Sequence, residues 1–177
     1  TEGGAFFLCT SLKNMRRLYE LLQDALADLP DQGGYSLLIQ GESGKHELLQ
    51  RFREHGRAIL IGSASFWEGV DVPGDALSIL VIVKLPFDVP SDPIVAARSE
   101  TFEDPFSQYS LPEAILRFRQ GFGRLIRSAS DRGIVAIFDR RVLTKQYGKL
   151  FLESLPQCTA RQGAAAGLAK MAGDWLG

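Results

Sequence analysis

Gln120, Arg124 and Arg127 fall within roughly 60° of one another when the stretch from Gln120 to Arg127 is wound as a helix at about 100° per residue. Ile115, Phe118, Phe122, Leu125 and Ile126 fall on the other side, which marks that side as the buried one. Gly121 and Gly123 interrupt the run, each at a cost of about 1 kcal/mol relative to Ala. A glutamine and two arginines on one face, with glycines allowing close approach, suit a polyanionic ligand such as a triphosphate. The alternative is an ordinary solvated basic face, and spacing alone leaves both open.

The surrounding charge is uneven. Residues 117–149 carry nine Lys/Arg against Asp131 and Asp139, a net +7 within a chain whose total is -1. A local basic patch on a near-neutral protein is a clue to an anionic partner. Other chemistries find little support. Cys9 and Cys158 are far apart without a C-x-x-C, and His46 and His55 are isolated, so no metal-ligand set is expected. There is no G-x-S-x-G and no G-x-G-x-x-G after the first strand, which counts against a self-contained hydrolase and a dinucleotide enzyme.

Two further stretches invite phosphate chemistry. Gly41 to His46 follows a strand and precedes a helix as a P-loop does, but Ile39 stands at the first glycine position and His46 at the magnesium-binding hydroxyl position. This loop is expected to touch a nucleic-acid backbone at most. Gly62 to Gly74 carries Ser63 and Ser65 for phosphates, Asp71 for a ribose hydroxyl, and Phe66 and Trp67, either stacked on bases or buried as core.

The elements that position these residues are legible as apolar runs. Strands are expected at 5–9, 35–40, 58–61, 77–83 and 134–138, nearly continuous in Val, Ile, Leu and Phe as in strands covered on both faces. Ser11 can cap a helix whose core side is Met15, Leu18, Leu22, Ala25, Leu26 and Leu29, ended by Pro30. A second helix carries Leu48, Leu49 and Phe52 and stops at Gly56. A Pro-rich excursion with one helix over 94–102 precedes the arginine helix. Strands alternating with helices predict a parallel α/β sheet with right-handed crossovers, whose ligands bind beyond the strands' carboxyl ends. That gathers Thr10-Ser11, Gln40 through Lys45, and the loop from Gly62 onto one rim. With no apolar run of 18 residues, an opening Thr and a strand close behind it, the chain reads as a soluble intracellular piece of a longer protein.

Taken in order, these stretches resemble the second motor domain of superfamily 2 helicases, specifically the DinG/XPD-like group. Gln120 to Arg127 matches motif VI (Q-x-x-G-R-x-I-R), and Ser65-Phe66-Trp67-Glu68-Gly69-Val70-Asp71 matches motif V. Phe6 to Ser11 is similar to motif IV, and Ile39-Gln40-Gly41 to the short motif after it. Leu85-Pro86-Phe87 with Pro90-Ser91-Asp92-Pro93, and Asp139-Arg140-Arg141 with Tyr147-Gly148, resemble bacterial DinG-type proteins.

The resemblance implies a RecA-like three-layer α/β domain over 1–156, with a mostly parallel sheet covered by helices on both faces, and a tail over 157–177 with Leu168, Met171 and Trp175 at helical spacing. It implies half of an ATP-dependent DNA helicase of 5′→3′ polarity, working in DNA repair. ATP and Mg²⁺ would be shared with a missing first RecA-like domain that brings Walker A and B and an iron–sulfur cluster. Carried over by position, Arg124, Arg127 and Gln120 would be catalytic, and Glu68, Gly69, Asp71 and Gly123 would meet ATP. Thr10, Ser11, Gln40, Gly41, Lys45, Ser63 and Ser65 would contact single-stranded DNA. A cytoplasmic monomer without membrane contact, inactive as this fragment alone, is expected. The competing reading is a non-catalytic nucleic-acid or partner-binding module of the same fold.

Overall fold

The computed structural model describes residues 4–30, 34–63, 66, 77–126 and 132–176. Five parallel strands form one sheet: β1 (Gly4–Cys9), β2 (Ser36–Ile39), β3 (Ala58–Ser63), β4 (Leu77–Ile82) and β5 (Ile134–Ile137), in the order β2-β3-β1-β4-β5. Every expected strand is present. Side chains alternate between two apolar faces, so each run is apolar throughout because both faces are covered. On one face Phe7, Leu37, Ile39, Ile59 and Ile61 lie beneath Met15, Leu18 and Leu22 of helix α1 (Leu12–Ala27). On the other, Phe6, Leu8, Leu38, Leu60, Leu80 and Ile82 meet α2 (Lys45–His55) and the helices that follow β4. The result is the three-layer architecture of a RecA-like domain.

The helix caps act as the sequence suggests, whereas α1 ends at Ala27, ahead of Pro30, and leaves Ala25 and Leu29 exposed. The Ser11 hydroxyl accepts the Asn14 N–H at 3.2 Å and starts α1. After β4, Asp92 caps α3 (Pro93–Ser99) by accepting from Ile94 and Val95 at 2.9 and 3.4 Å. A π-helical turn, Phe106–Ser110, then leads straight into α4 (Leu111–Leu125).

Helix α4 departs from expectation at its end. Phe118, Phe122 and Leu125 are buried as foreseen, but Ile126 adopts extended backbone (φ -116°, ψ 105°) and closes the helix. Gln120 and Arg124 stand within the helix as expected, and Arg127 lies outside the described residues. Beyond β5 come two short helices with little periodic signal, α5 (Arg141–Thr144) and α6 (Gly148–Glu153), whose Phe151 is fully buried edge-on to Phe118 with ring centres 5.4 Å apart. The tail forms α7 (Leu168–Leu176), and Trp175 lies under the Arg132 guanidinium at 5.5 Å.

Candidate functional site: two edges of one sheet

The strand registers bring the ends of all five strands level. Cys9 lies opposite Ser63, Ile39 opposite Ile61, Leu8 opposite Ile82, and Ile82 opposite Ile137. Thr10, Ser11, Gln40, Gly41 and Ser63 accordingly share the carboxyl rim. Gln40 and Ser63 are joined directly: the Gln40 Oε1 accepts the Ser63 N–H at 2.7 Å and the Ser63 hydroxyl at 2.8 Å. Gly41 turns the chain with φ 97°, a conformation that a Cβ disfavours, and leads to the N-terminus of α2. The Ser43 hydroxyl in this turn is buried without a hydrogen-bond partner among the described residues. Lys45 opens α2 with its Nζ 5.4 Å from the Phe66 ring. Phe66 is only 6% exposed and packs against the core, so it is not a stacking platform for a base. The N-termini of α1 and α2 both face this rim and add their partial positive charge to it.

The arginine helix ends at the opposite edge. Joining two parallel strands, α4 must run against them, and its 15 residues span about 22 Å. A Cβ at Gly133, just before β5, would come within 2.7 Å of the Leu125 side chain, which fixes the end of α4 at the strands' amino edge. Gln120, Gly123 and Arg124 occupy the last two turns there. Gln120 is exposed and Arg124 half-buried, and Arg124 pairs with no carboxylate among the described residues. A Cβ on Gly123 would meet nothing within 4 Å. The domain's own packing gives no reason for glycine at this position.

Two other cations of the basic window, Arg117 and Arg141, form ion pairs within the domain. Arg117 pairs with Asp88, tying α4 to the loop after β4. Arg141 grips Asp139 through Nε, at 3.0 Å to each oxygen, and Nη2 at 2.6 Å, while the Asp139 carboxylate also accepts the Leu85 N–H at 2.9 Å. Burial pushes the Asp139 carboxyl up. The Arg141 side chain, the Leu85 and Arg141 N–H groups and the Arg141 charge outweigh that effect and hold its pKa at about 2. Nothing local in the sequence marks this bond between residues 54 apart.

Ser65, Glu68, Gly69 and Asp71 lie outside the described residues, as Arg127 does. Burial raises the Cys9 thiol to about 11, and Cys158 is exposed far along the chain. Among the described residues no three His, Cys, Asp or Glu side chains converge as metal ligands. A cavity of about 970 Å³ lined by Tyr19, Gln23, Leu29, Tyr35 and His55 opens at the amino end of β2 and includes none of the candidate residues.

Against known families, residues 1–158 match the helicase C-terminal domain. The chain belongs to that family. Its tail from Thr159 lies beyond the matched part. This helicase C-terminal domain is 47% identical over 159 residues to the ATP-dependent DNA helicase YoaA of Escherichia coli, covering 88% of this chain and 24% of that protein. It is 44% identical over 155 residues to the 3′-5′ exonuclease DinG of Bacillus subtilis, covering 84% and 16% of the two chains. To the ATP-dependent DNA helicase DinG of Photobacterium profundum it is 42% identical over 141 residues, covering 75% and 20%. The chain thus spans about a quarter or less of the length of these relatives. No helix among the described residues is long and apolar enough to cross a membrane.

Proposed function

We propose that this domain is the second motor domain of an ATP-dependent DNA helicase, bringing arginines to ATP held on a first RecA-like domain of the same polypeptide. The observation that carries the reading is the open, glycine-flanked Arg124 at the amino edge of the sheet. A guanidinium with no carboxylate partner among the described residues, beside a glycine with vacant space above it, suits a triphosphate delivered by another body. Phosphoryl transfer depends on positioning and charge stabilisation, and an arginine supplied from a second body is worth about 10³–10⁵ in rate.

Arg124 and Arg127 neutralise charge developing on the γ-phosphate, and Gln120 positions the attacking water or the phosphate. Gly123 allows the approach, while Glu68, Gly69 and Asp71 meet the nucleotide. Magnesium is held mainly by the first domain, and an iron–sulfur cluster belongs there as well. At the carboxyl rim Thr10, Ser11, Gln40, Gly41, Lys45, Ser63 and Ser65 contact the backbone of single-stranded DNA. The two helix N-termini, and the Ser43 hydroxyl that has no hydrogen-bond partner among the described residues, support an anionic partner there. Because the arginine contact exists only while the γ-phosphate is present, hydrolysis releases the domain closure, and the rim moves along the strand. The protein acts as a cytoplasmic monomer in DNA repair.

In the full-length protein, Arg127→Ala lowers DNA-stimulated ATP hydrolysis by about 10³ or more while DNA affinity stays within about twofold. Equal loss of both would remove the γ-phosphate role. The isolated domain is expected to show no ATPase, and a robust activity that copurifies with it would overturn the reading.

A further inference from the structure

The rim does not end at β1. Beyond it lie the ends of β4 and β5, and a different set of side chains gathers there. The Phe138 N–H donates to the Ile82 carbonyl at 2.9 Å, continuing the β4–β5 register past Ile137. Just beyond, the Leu85 N–H donates to the buried Asp139 carboxylate. This pin fixes the backbone of Lys84, immediately before Leu85, beside that of Arg140, immediately after Asp139. Arg141 is consumed in holding the pin, and Asp139 is consumed by it. Lys84 and Arg140 are exposed and pair with no carboxylate among the described residues. Phe138, one register position before Lys84 and two residues before Arg140, is 46% exposed at the end of an edge strand.

An exposed aromatic ring beside two cations that pair with no carboxylate among the described residues, all at strand ends, is the chemistry that takes up one nucleotide of a single strand. The ring offers a face to the base and the cations engage the phosphates on either side. We propose that Lys84, Phe138 and Arg140 form a stacking-and-phosphate subsite that extends the single-stranded DNA path from the β1–β3 rim across β4 and β5. The inference rests on the reading of that rim as the DNA-facing edge. It adds a base contact that the rim's hydroxyls, amides and lysine do not supply.

The test is fluorescence anisotropy of a labelled single-stranded oligonucleotide with the full-length protein, repeated over a range of salt concentrations. Phe138→Ala is expected to weaken binding about tenfold with an unchanged salt slope, since stacking releases no counterions. Phe138→Trp restores binding, and the added tryptophan fluorescence is quenched as the base stacks. The Lys84→Ala/Arg140→Ala pair weakens binding about tenfold and lowers the slope of log K against log salt by about 1.4, at about 0.7 per phosphate contact. If these variants bind as the parent does while Thr10→Ala/Lys45→Ala weakens binding, the subsite is wrong and the DNA-facing rim stands. If Thr10→Ala/Lys45→Ala also binds as the parent does, the rim reading falls, and the subsite with it.

Discussion

Asp139 shows how a single residue sets what its neighbours can do. It is 9% exposed and accepts N–H groups from Leu85 and Arg141 and the Arg141 guanidinium. Its pKa of about 2 lies below the 3.8 of an unconstrained Asp. A depressed carboxyl contributes stability that is present above about pH 4 and lost as pH falls toward 2, worth about 2 kcal/mol in all. Asp139→Asn is expected to destabilise the domain by about 2 kcal/mol at neutral pH and to flatten this acid limb, measured by urea unfolding at pH 7 and pH 3. An unchanged acid limb would show that the pin carries no such linkage. The rim pair Gln40 and Ser63 works in the same manner, with one carboxamide oxygen joining the ends of β2 and β3. Sequence spacing placed both on the rim but had no means of showing that they bond to each other, because such contacts leave no local pattern.

At the scale of the element, the sequence of α4 specifies its buried face but not its end. Its buried face of Phe118, Phe122 and Leu125 follows from 3.6-residue periodicity alone. Its termination at Ile126 does not, since Leu125, Ile126 and Arg127 are all tolerable in a helix and no Gly or Pro stops it. Tertiary packing decides that boundary, as it decides that Phe66 is core and that Gly148–Glu153 is helical. The five strands were legible because burial on both faces makes each one a continuous apolar run. Gly123 offers a test specific to α4. With open space around it, Gly123→Ala should stabilise the isolated domain by about 0.5–1 kcal/mol, seen as a higher melting temperature. In the full-length protein the same change should lower DNA-stimulated ATP hydrolysis. A variant both more stable and fully active would remove the argument that this position is kept open for a ligand.

The whole molecule puts two kinds of chemistry at opposite ends of a rigid sheet. Thr10, Gln40 and Ser63 lie where the strands end, and Arg124 lies where β5 begins. Both are bound to the same two-sided core, so a displacement imposed at one edge moves the other as a body. This polarity is only partly legible in the sequence: the carboxyl-end rule gives the rim, whereas the position of Arg124 depends on the direction of α4 and the contact between Leu125 and Gly133. Near-neutral total charge hides the arrangement further, since Asp88 and Asp139 absorb part of the basic window and leave its remaining cations to face outward.

The most direct measurement is a paired titration of the full-length protein, following DNA affinity and DNA-stimulated ATP hydrolysis in Arg124→Ala and in Thr10→Ala/Lys45→Ala. The account predicts that Arg124→Ala loses at least about 10³ in saturating hydrolysis with DNA affinity intact. The rim variant should lose affinity while hydrolysis recovers at saturating DNA. Parallel loss of affinity and saturating hydrolysis in both variants would contradict a domain with one edge for the nucleotide and the other for the strand.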